Sequence, residues 1–203
     1  CTVSVSFSGA TVHSYVAYVA GSPPTTGPSP TIKATSSTVT VRWFTITLSA
    51  SPAYLAPGAG TTLTASASTD VLPTPYDIEI YDNGSKARVA ACVSGTTCST
   101  SVAQTAAGIH TYIAYVGSAD PTAPPSTVVA TSLTVKVVWL SVTLTASDSS
   151  LADGRSMTLT ATANTDLSTS PYYLEIFDQT TGVFIVECGL CSSVTTSAIT
   201  QTS

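Results

Sequence analysis

The chain matches itself at a fixed distance, and this constrains its fold more than any single motif. The segment from Trp43, WFTITLSASPAYLAPGAGTTLTASASTDVLPTPYDIEIYD, returns from Trp139 as WLSVTLTASDSSLADGRSMTLTATANTDLSTSPYYLEIFD. The offset is 96 residues, without a gap as far as Cys92 and Cys188. Leu48/Leu144, Gly58/Gly154, Leu63/Leu159, Asp70/Asp166, Pro75/Pro171, Glu79/Glu175 and Asp82/Asp178 coincide. A second match sets CTVSVSFSGATVHSYVAYVAGS against CSTSVAQTAAGIHTYIAYVGS at an offset of 97, pairing Cys1 with Cys98, His13 with His110 and Tyr15 with Tyr112. Self-similarity of this kind marks an array of like supersecondary units. Residues 1–43 read as the second half of one unit, 44–139 as a whole unit and 140–203 as the first two-thirds of another. Both end units then lack strands for a closed core, so the chain is expected to be a stretch of a longer polypeptide. The alternative is exchange, with residues 1–43 of one chain completing 140–203 of another. Against it, both fragments carry the strand after the second cysteine.

Strand signals recur every 10–15 residues within 44–139, as period-2 alternation rich in Thr, Val, Ile and Tyr. The expected strands are Thr45–Ala50, Thr61–Ala67, Tyr76–Tyr81, Ala87–Val93, Ser99–Ala103, His110–Val116 and Thr127–Trp139. Between them lie Ala56-Pro57-Gly58, Leu72-Pro73-Thr74-Pro75, Asn83-Gly84, Pro121 and Pro124-Pro125. Asn83-Gly84-Ser85 is also a glycosylation sequon, but Asn-Gly reads first as a hairpin turn. No segment shows a capped 3.6-residue period. The expected fold is all-β: tandem immunoglobulin-like sandwiches of about seven strands per unit. Alternation puts Tyr76, Ile78 and Ile80 inside and Asp77, Glu79 and Tyr81 outside. Ser and Thr together number 67, and β-branched Thr on outward faces accounts for much of that excess.

At Val39-Thr-Val-Arg-Trp43-Phe-Thr-Ile-Thr-Leu48 the apolar residues change from odd to even positions, and the same slip recurs at Trp139/Leu140. A one-residue slip reverses the buried face. The last strand of one unit is therefore expected to pass directly into the first strand of the next, with Trp43 and Trp139 in the inter-unit joint. The plainer reading has each Trp closing its own core. No Gly/Ser linker intervenes, so the array is expected to be an end-to-end rod, each unit roughly 35–40 Å long. The Pro-rich loops Gly21–Pro30 and Ser118–Pro125 either stiffen that contact or bind a ligand.

Of the five cysteines, Cys92 and Cys98 bracket a Gly-containing turn between two expected strands. A structural disulfide Cys92–Cys98 suits that hairpin if the Cα atoms lie within ~7 Å. Cys188–Cys191 reads as the same clasp with three residues deleted. Cys1 matches Cys98, so its partner is expected outside the 203 residues; a lipid-bearing N-terminal Cys is the rival reading. Cys188-Gly-Leu-Cys191 also has the spacing of a redox or zinc motif. The sister segment has five residues between its cysteines, and two His are few for zinc. Disulfides imply an oxidising environment, hence an extracellular or cell-surface location.

Only 17 residues are charged and the net charge is -5, so a nucleic-acid partner is not expected. No apolar run approaches the ~18 residues of a membrane helix, and no signal-peptide layout is present. There is no phosphate-binding glycine loop and no HExxH. His13 and His110 are copies of one position and so do not make one site. Glu79/Glu175 and Asp82/Asp178 read as solvated surface, ahead of acid–base chemistry. A weak calcium site using Asp70, Asp82 or Asp120 is a lesser alternative. No catalytic residue, metal ligand or cofactor is expected.

The stretches TLTASAS-x-D, PYDIEIYD, the cysteine hairpin, GIHTYIAYVGS and ATSLTVKVVW resemble the tandem bacterial Ig-like repeats of large extracellular proteins. Tyr112 in Gly108-Ile-His-Thr-Tyr resembles the tyrosine corner of such domains. The chain departs from antibody-type units, with Ala114 where the inter-sheet Cys would stand and no Trp on the third strand. The resemblance implies stalks, adhesins, surface fibres or spacer modules. The expectation is a non-catalytic structural segment of an extracellular filament, stalk or fibre. The alternative is an adhesin or carbohydrate-binding spacer beside a secreted enzyme. The expected partners are neighbouring Ig-like units and, in a fibre, other copies of the chain. Side-by-side association through Glu79, Tyr81 and Glu175, Phe177 belongs to the same expectation.

Overall fold

A computed structural model describes residues 2–22, 26–28 and 31–200. Cys1 and parts of the Gly21–Pro30 loop lie outside the described residues. Every regular element is a strand, and no helix occurs among the described residues. The first four are β1 (Thr11–Tyr15), β2 (Tyr18–Ala20), β3 (Ile32–Thr35) and β4 (Val39–Trp43). Nine follow: β5 (Ile46–Ser51), β6 (Tyr54–Leu55), β7 (Gly60–Ala67), β8 (Asp77–Asp82), β9 (Arg88–Cys92), β10 (Thr97–Ala103), β11 (Gly108–Gly117), β12 (Val128–Thr131) and β13 (Val135–Trp139). The last seven are β14 (Val142–Ala146), β15 (Ser156–Met157), β16 (Leu159–Ala163), β17 (Leu174–Asp178), β18 (Val183–Cys188), β19 (Ser193–Thr195) and β20 (Ile199–Thr200).

The largest sheet has the order β6-β13-β11-β8-β9, with β12 also on β11, and a three-stranded sheet has the order β10-β7-β5. Strands β14-β16-β19 repeat the latter order, alongside β15-β20 and β17-β18. The chain divides into two compact units. One is Cys1–Ser49, Thr64–Ser99 and Ile113–Thr134; the other is Ala50–Leu63, Thr100–Tyr112 and Val135–Ser203.

In the first unit, Ala65, Val71, Ile78, Ile80, Ala114 and Val116 are fully buried. In the second, Leu63, Tyr112, Val137 and Trp139 are fully buried, and Ala161, Ala163, Leu167, Leu174 and Ile176 form a separate cluster. Strand β7 shows why its sequence suits a half-covered sheet. Thr61, Leu63, Ala65 and Ala67 alternate inward while Thr62, Ser66 and their neighbours face out.

The expected single strand Thr127–Trp139 is two strands. Tyr115 pairs with Thr131 but Tyr112 with Val135, so β12–β13 carries one residue more than β11 over that stretch. This is a β-bulge. Ser132 makes it tolerable: its amide donates to the Ala114 carbonyl, its Oγ accepts from the Ala114 amide at 2.9 Å, and the same Oγ donates to Leu133 O. Ser36 does the same with Ala17 and Ser37 between β3 and β4. A two-residue strand, β6, was not foreseen; it runs parallel to β13. The expected continuous strand through each Trp is also interrupted. Phe44–Thr45 and Leu140–Ser141 are irregular because turn residues bond their backbone. Ser68 Oγ accepts from Thr45 N, and Asn164 Oδ1 accepts from Ser141 N.

The Asn83-Gly84 turn is not a two-residue hairpin turn. Lys86 N donates to Asp82 O, and Lys86 itself has φ +63°. At the same place in the sister segment Gly182 has φ +71° and donates to Asp178 O. Lys86 thus occupies a left-handed conformation that glycine adopts without cost.

Candidate functional site

The cysteines sit where strand pairing brings them together. Cys92 and Cys98 are disulfide-bonded with Cα atoms 5.6 Å apart, at the end of β9 and the start of β10, and Cys98 is buried. Cys188 and Cys191 are bonded with Cα atoms 6.0 Å apart. The second bridge is not the first with residues deleted. Val71 N donates to Gly95 O and Leu167 N to Cys191 O; Ala67 N donates to Thr96 O and Ala163 N to Ser192 O. The 96-residue offset therefore continues past the cysteines. Cys191 stands in the place of Gly95, and Val194 in the place of Cys98. The half-cystine has moved three residues inside an unbroken ladder. Two disulfides suggest an oxidising environment.

Each Trp faces its own strands. Trp139 is fully buried, its Nε1 donates to Ala59 O at 2.9 Å, and its ring meets the edge of His110 at 5.4 Å. Only its backbone reaches forward: the Trp139 carbonyl accepts from Asn164 Nδ2 at 2.9 Å. Beside it the Tyr54 hydroxyl is 2.9 Å from Thr169 Oγ1, and the Tyr54 ring is 6.3 Å from that of Tyr172. Trp43 is half-buried against Phe7 and His13, with ring centroids 4.9 and 5.8 Å away. The two histidines thus serve as ring neighbours of Trp43 and Trp139. His13 also stacks on Phe7 at 3.9 Å.

The outward placement of Glu79 and Tyr81 is overturned: both are fully buried. Strand β8 lies between β11 and β9 and is covered on both faces. Arg88 Nη1 donates to Glu79 Oε1 at 2.7 Å, from a side chain that remains about one-third exposed. The Tyr81 hydroxyl lies 2.6 Å from Glu79 Oε2 and 2.7 Å from the Asp120 carbonyl, so two acceptors share its proton. Burial, and then the Glu79 carboxylate, push the Tyr81 phenol well above its ordinary range. The hydrogen bond to Glu79 raises Arg88 further above its already high value. Strand alternation could not reveal this, because it assumes one wet face. The signal present in the sequence is Arg88, a cation nine residues on and across the β8–β9 hairpin from Glu79.

The sister residues take another form. Tyr81 pairs across the strands with Arg88, and Phe177 with Phe184. Those two rings meet edge-on at 5.4 Å, and Glu175 is exposed. A charged cluster in one segment is an aromatic pair in the other, and the cation disappears where the carboxylate is solvated.

The recurrent aspartates build turns. Asp70 Oδ1 accepts from Leu72 N and Gly95 N, and Asp82 Oδ1 from Gly84 N and Ser85 N. Asp166 and Asp178 do likewise with Ser168 N and with Thr180 N and Thr181 N. Asp120 Oδ2 accepts from Ser126 N and Ser118 Oγ at 2.6 and 2.7 Å. The Ser126 amide, then the Ser118 hydroxyl, hold the Asp120 carboxyl below the ordinary range. The Thr181 hydroxyl, then the Thr180 amide, do the same for Asp178. Among the described residues no three His, Cys, Asp or Glu side chains are grouped as metal ligands. The Ser118–Pro125 loop is tied down by these bonds and by Arg88 N to Pro121 O.

One large cleft lies within residues 140–203. Its volume is ≈ 520 Å³, and its apolar lining is Leu151, Met157, Leu159, Phe177, Ile185 and Ile199. The chain matches no protein-family model, and no curated protein resembles it closely enough to count as a relative.

Proposed function

We propose that this chain is a non-catalytic structural stretch of an extracellular filament, stalk or surface fibre, built from tandem Ig-like sandwiches. The observation that carries the reading is the recurrence of one hydrogen-bonded plan at a 96-residue offset. Ser36 and Ser132, Asp70 and Asp166, and Asp82 and Asp178 make the same backbone bonds in successive segments. Several side chains that could do chemistry have structural partners: both histidines in ring contacts, Asp70, Asp82, Asp120, Asp166 and Asp178 in turns, and Glu79 with Arg88. Two disulfides suit life outside the cell. Neighbouring sandwiches of the same polypeptide are its first partners. Electron microscopy of native material tests the reading. Fibres or stalks with a beaded repeat are the expected outcome; isolated globular particles overturn it.

A second reading, a carbohydrate-binding spacer, is favoured by the exposed Tyr172 and Tyr173. Micromolar binding on a glycan array, lost on replacing both tyrosines by alanine, would establish it.

A further inference from the structure

We propose that the turn at residues 82–86 is a self-modifying site. Asn83 is converted there, through a cyclic imide, to aspartyl and isoaspartyl forms, with Asp82 as the base and Lys86 as the cation at the reacting carbonyl. The chemistry needs no reactant beyond water and owes nothing to assembly into a fibre.

The reactive pair is present in the sequence. Asn83-Gly84 is the chain's one Asn-Gly pair, and the other asparagine, Asn164, precedes Thr165. An asparagine amide and the next backbone nitrogen close a small ring, and a glycine has no Cβ to obstruct the closure. The structure adds two groups. Asp82 Oδ1 accepts from Gly84 N at 2.8 Å and from Ser85 N at 2.9 Å. A carboxylate thus already holds the proton that the Gly84 nitrogen must lose. Lys86 Nζ donates to Asn83 Oδ1 at 2.9 Å. An ammonium has no acceptor, so the amide turns its oxygen to Lys86 and keeps its nitrogen as the departing group. Gly84, Ser85 and Lys86 are exposed, so water reaches the turn. These bonds run among residues 82–86, inside the whole unit 44–139, and do not depend on what precedes or follows the chain.

The sister turn separates turn-building from this chemistry. Asp178 holds the place of Asp82, and its Oδ1 accepts from Thr180 N and Thr181 N. Gln179 stands for Asn83, Thr180 for Gly84 and Gly182 for Lys86. The carboxylate that shapes the turn is kept, while the short amide, the unhindered nitrogen and the cation are all absent. Lys86 also occupies a left-handed conformation, φ +63°, that Gly182 matches at φ +71°. A lysine there costs stability that a glycine would not. Backbone strain of this kind gathers at functional sites, and here it sets an ammonium on the amide oxygen.

In the first step the Gly84 nitrogen attacks Asn83 Cγ, and its proton passes to Asp82 Oδ1. The carbonyl electron pair moves onto Asn83 Oδ1, where the Lys86 ammonium stabilises it. Collapse breaks the Cγ–Nδ2 bond, and Nδ2 leaves as ammonia with the proton that Asp82 held. One C–N bond forms, one breaks, and nothing is oxidised or reduced. Water then opens the imide. Breaking the new Cγ–N bond leaves an aspartyl. Breaking the bond from the main-chain carbonyl to that nitrogen leaves an isoaspartyl, with an extra carbon in the backbone. That carbon falls between Asp82 and Lys86, whose O and N close the turn. Either product sets a new negative charge beside Lys86.

The test holds the whole 203-residue chain at neutral pH, folded in one sample and unfolded in guanidinium chloride in another. Peptide mass mapping follows the amide, aspartyl and isoaspartyl forms at position 83. The folded chain is expected to convert about tenfold faster than the unfolded one. Two variants separate the chemistry from folding, which urea midpoints monitor. Asp82→Asn keeps an oxygen for the Gly84 and Ser85 amides but removes the base. Lys86→Gly removes the cation while easing the backbone. Each is expected to lower the folded rate about tenfold and to leave the unfolded rate unchanged. Lys86→Arg, which keeps the cation, is expected to keep the parent rate. A folded chain that converts no faster than the unfolded one overturns the proposal, as does a folded Lys86→Gly chain at the parent rate. Conversion of Gln179 or Asn164 as fast as that of Asn83 also overturns it.

Discussion

Replacing Arg88 by alanine isolates the energetics of the buried cluster. Glu79 is wholly inaccessible, and Arg88 Nη1 at 2.7 Å is its ion-pair partner. Without Arg88 the carboxylate keeps one donor, the Tyr81 hydroxyl, whose proton is already shared with Asp120 O. Stripping one member from a buried pair costs ~3–5 kcal/mol. The guanidinium is 34 % exposed, so water screens the pair and the expected loss is nearer ~2–3 kcal/mol. In urea, with a slope of about 2 kcal/mol/M, the midpoint falls by ~1–1.5 M. Glu79→Leu combined with Arg88→Met should recover most of that loss, because an apolar pair of similar volume removes the stranded charge. Unfolding followed by tryptophan fluorescence reads both. A midpoint shift below ~0.3 M for Arg88→Ala, or a double variant no better than the single one, refutes the reasoning.

Cys92→Ala opens a loop with a sequence separation of 6 and should cost ~2 kcal/mol under oxidising conditions; a urea midpoint equal to that of the oxidised parent contradicts this. Ser132→Ala leaves the buried Ala114 amide without its acceptor, a loss of ~1–2 kcal/mol, with faster hydrogen exchange at that amide as its local signature. Lys86→Gly removes a left-handed non-glycine residue and should raise stability by ~0.5–1 kcal/mol, while the same change at Lys136, in β13, should lower it. Asp120 and Asp178 have folded-state pKa values below their unfolded ones. Their contribution is therefore complete above the unfolded carboxylate value of ~3.9 and is lost as pH falls through the folded values. An Asp120→Asn, Asp178→Asn chain should show a flatter acid limb in a pH series of urea midpoints.

Most of the strand framework was legible because alternating apolar residues and Pro/Gly punctuation are local signals. Leu63, Ala65 and Ala67 face inward as their spacing requires. The failures share one cause, since they depend on contacts from distant segments. Glu79 and Tyr81 look solvent-facing until a cation from β9 and the Asp120 carbonyl of the Ser118–Pro125 loop arrive. The bulge at Ser132 is invisible in hydropathy because it depends on one hydroxyl replacing a backbone acceptor. Strand β6 is two residues long and exists only through its pairing with β13. The edge-on pair of Phe177 and Phe184 is equally non-local, because it depends on Phe184 standing where Arg88 stands in the neighbouring segment.

The travelling half-cystine has a practical corollary for comparing such proteins. Three is an odd number, and side chains along a strand alternate sides. Aligning Cys191 on Cys98 would turn everything downstream inside out, assigning Val194 to the wet side and its neighbours to the dry one. Covalent bridges are therefore a poor ruler for this kind of chain. The backbone partners of Val71 and Leu167 are the better one.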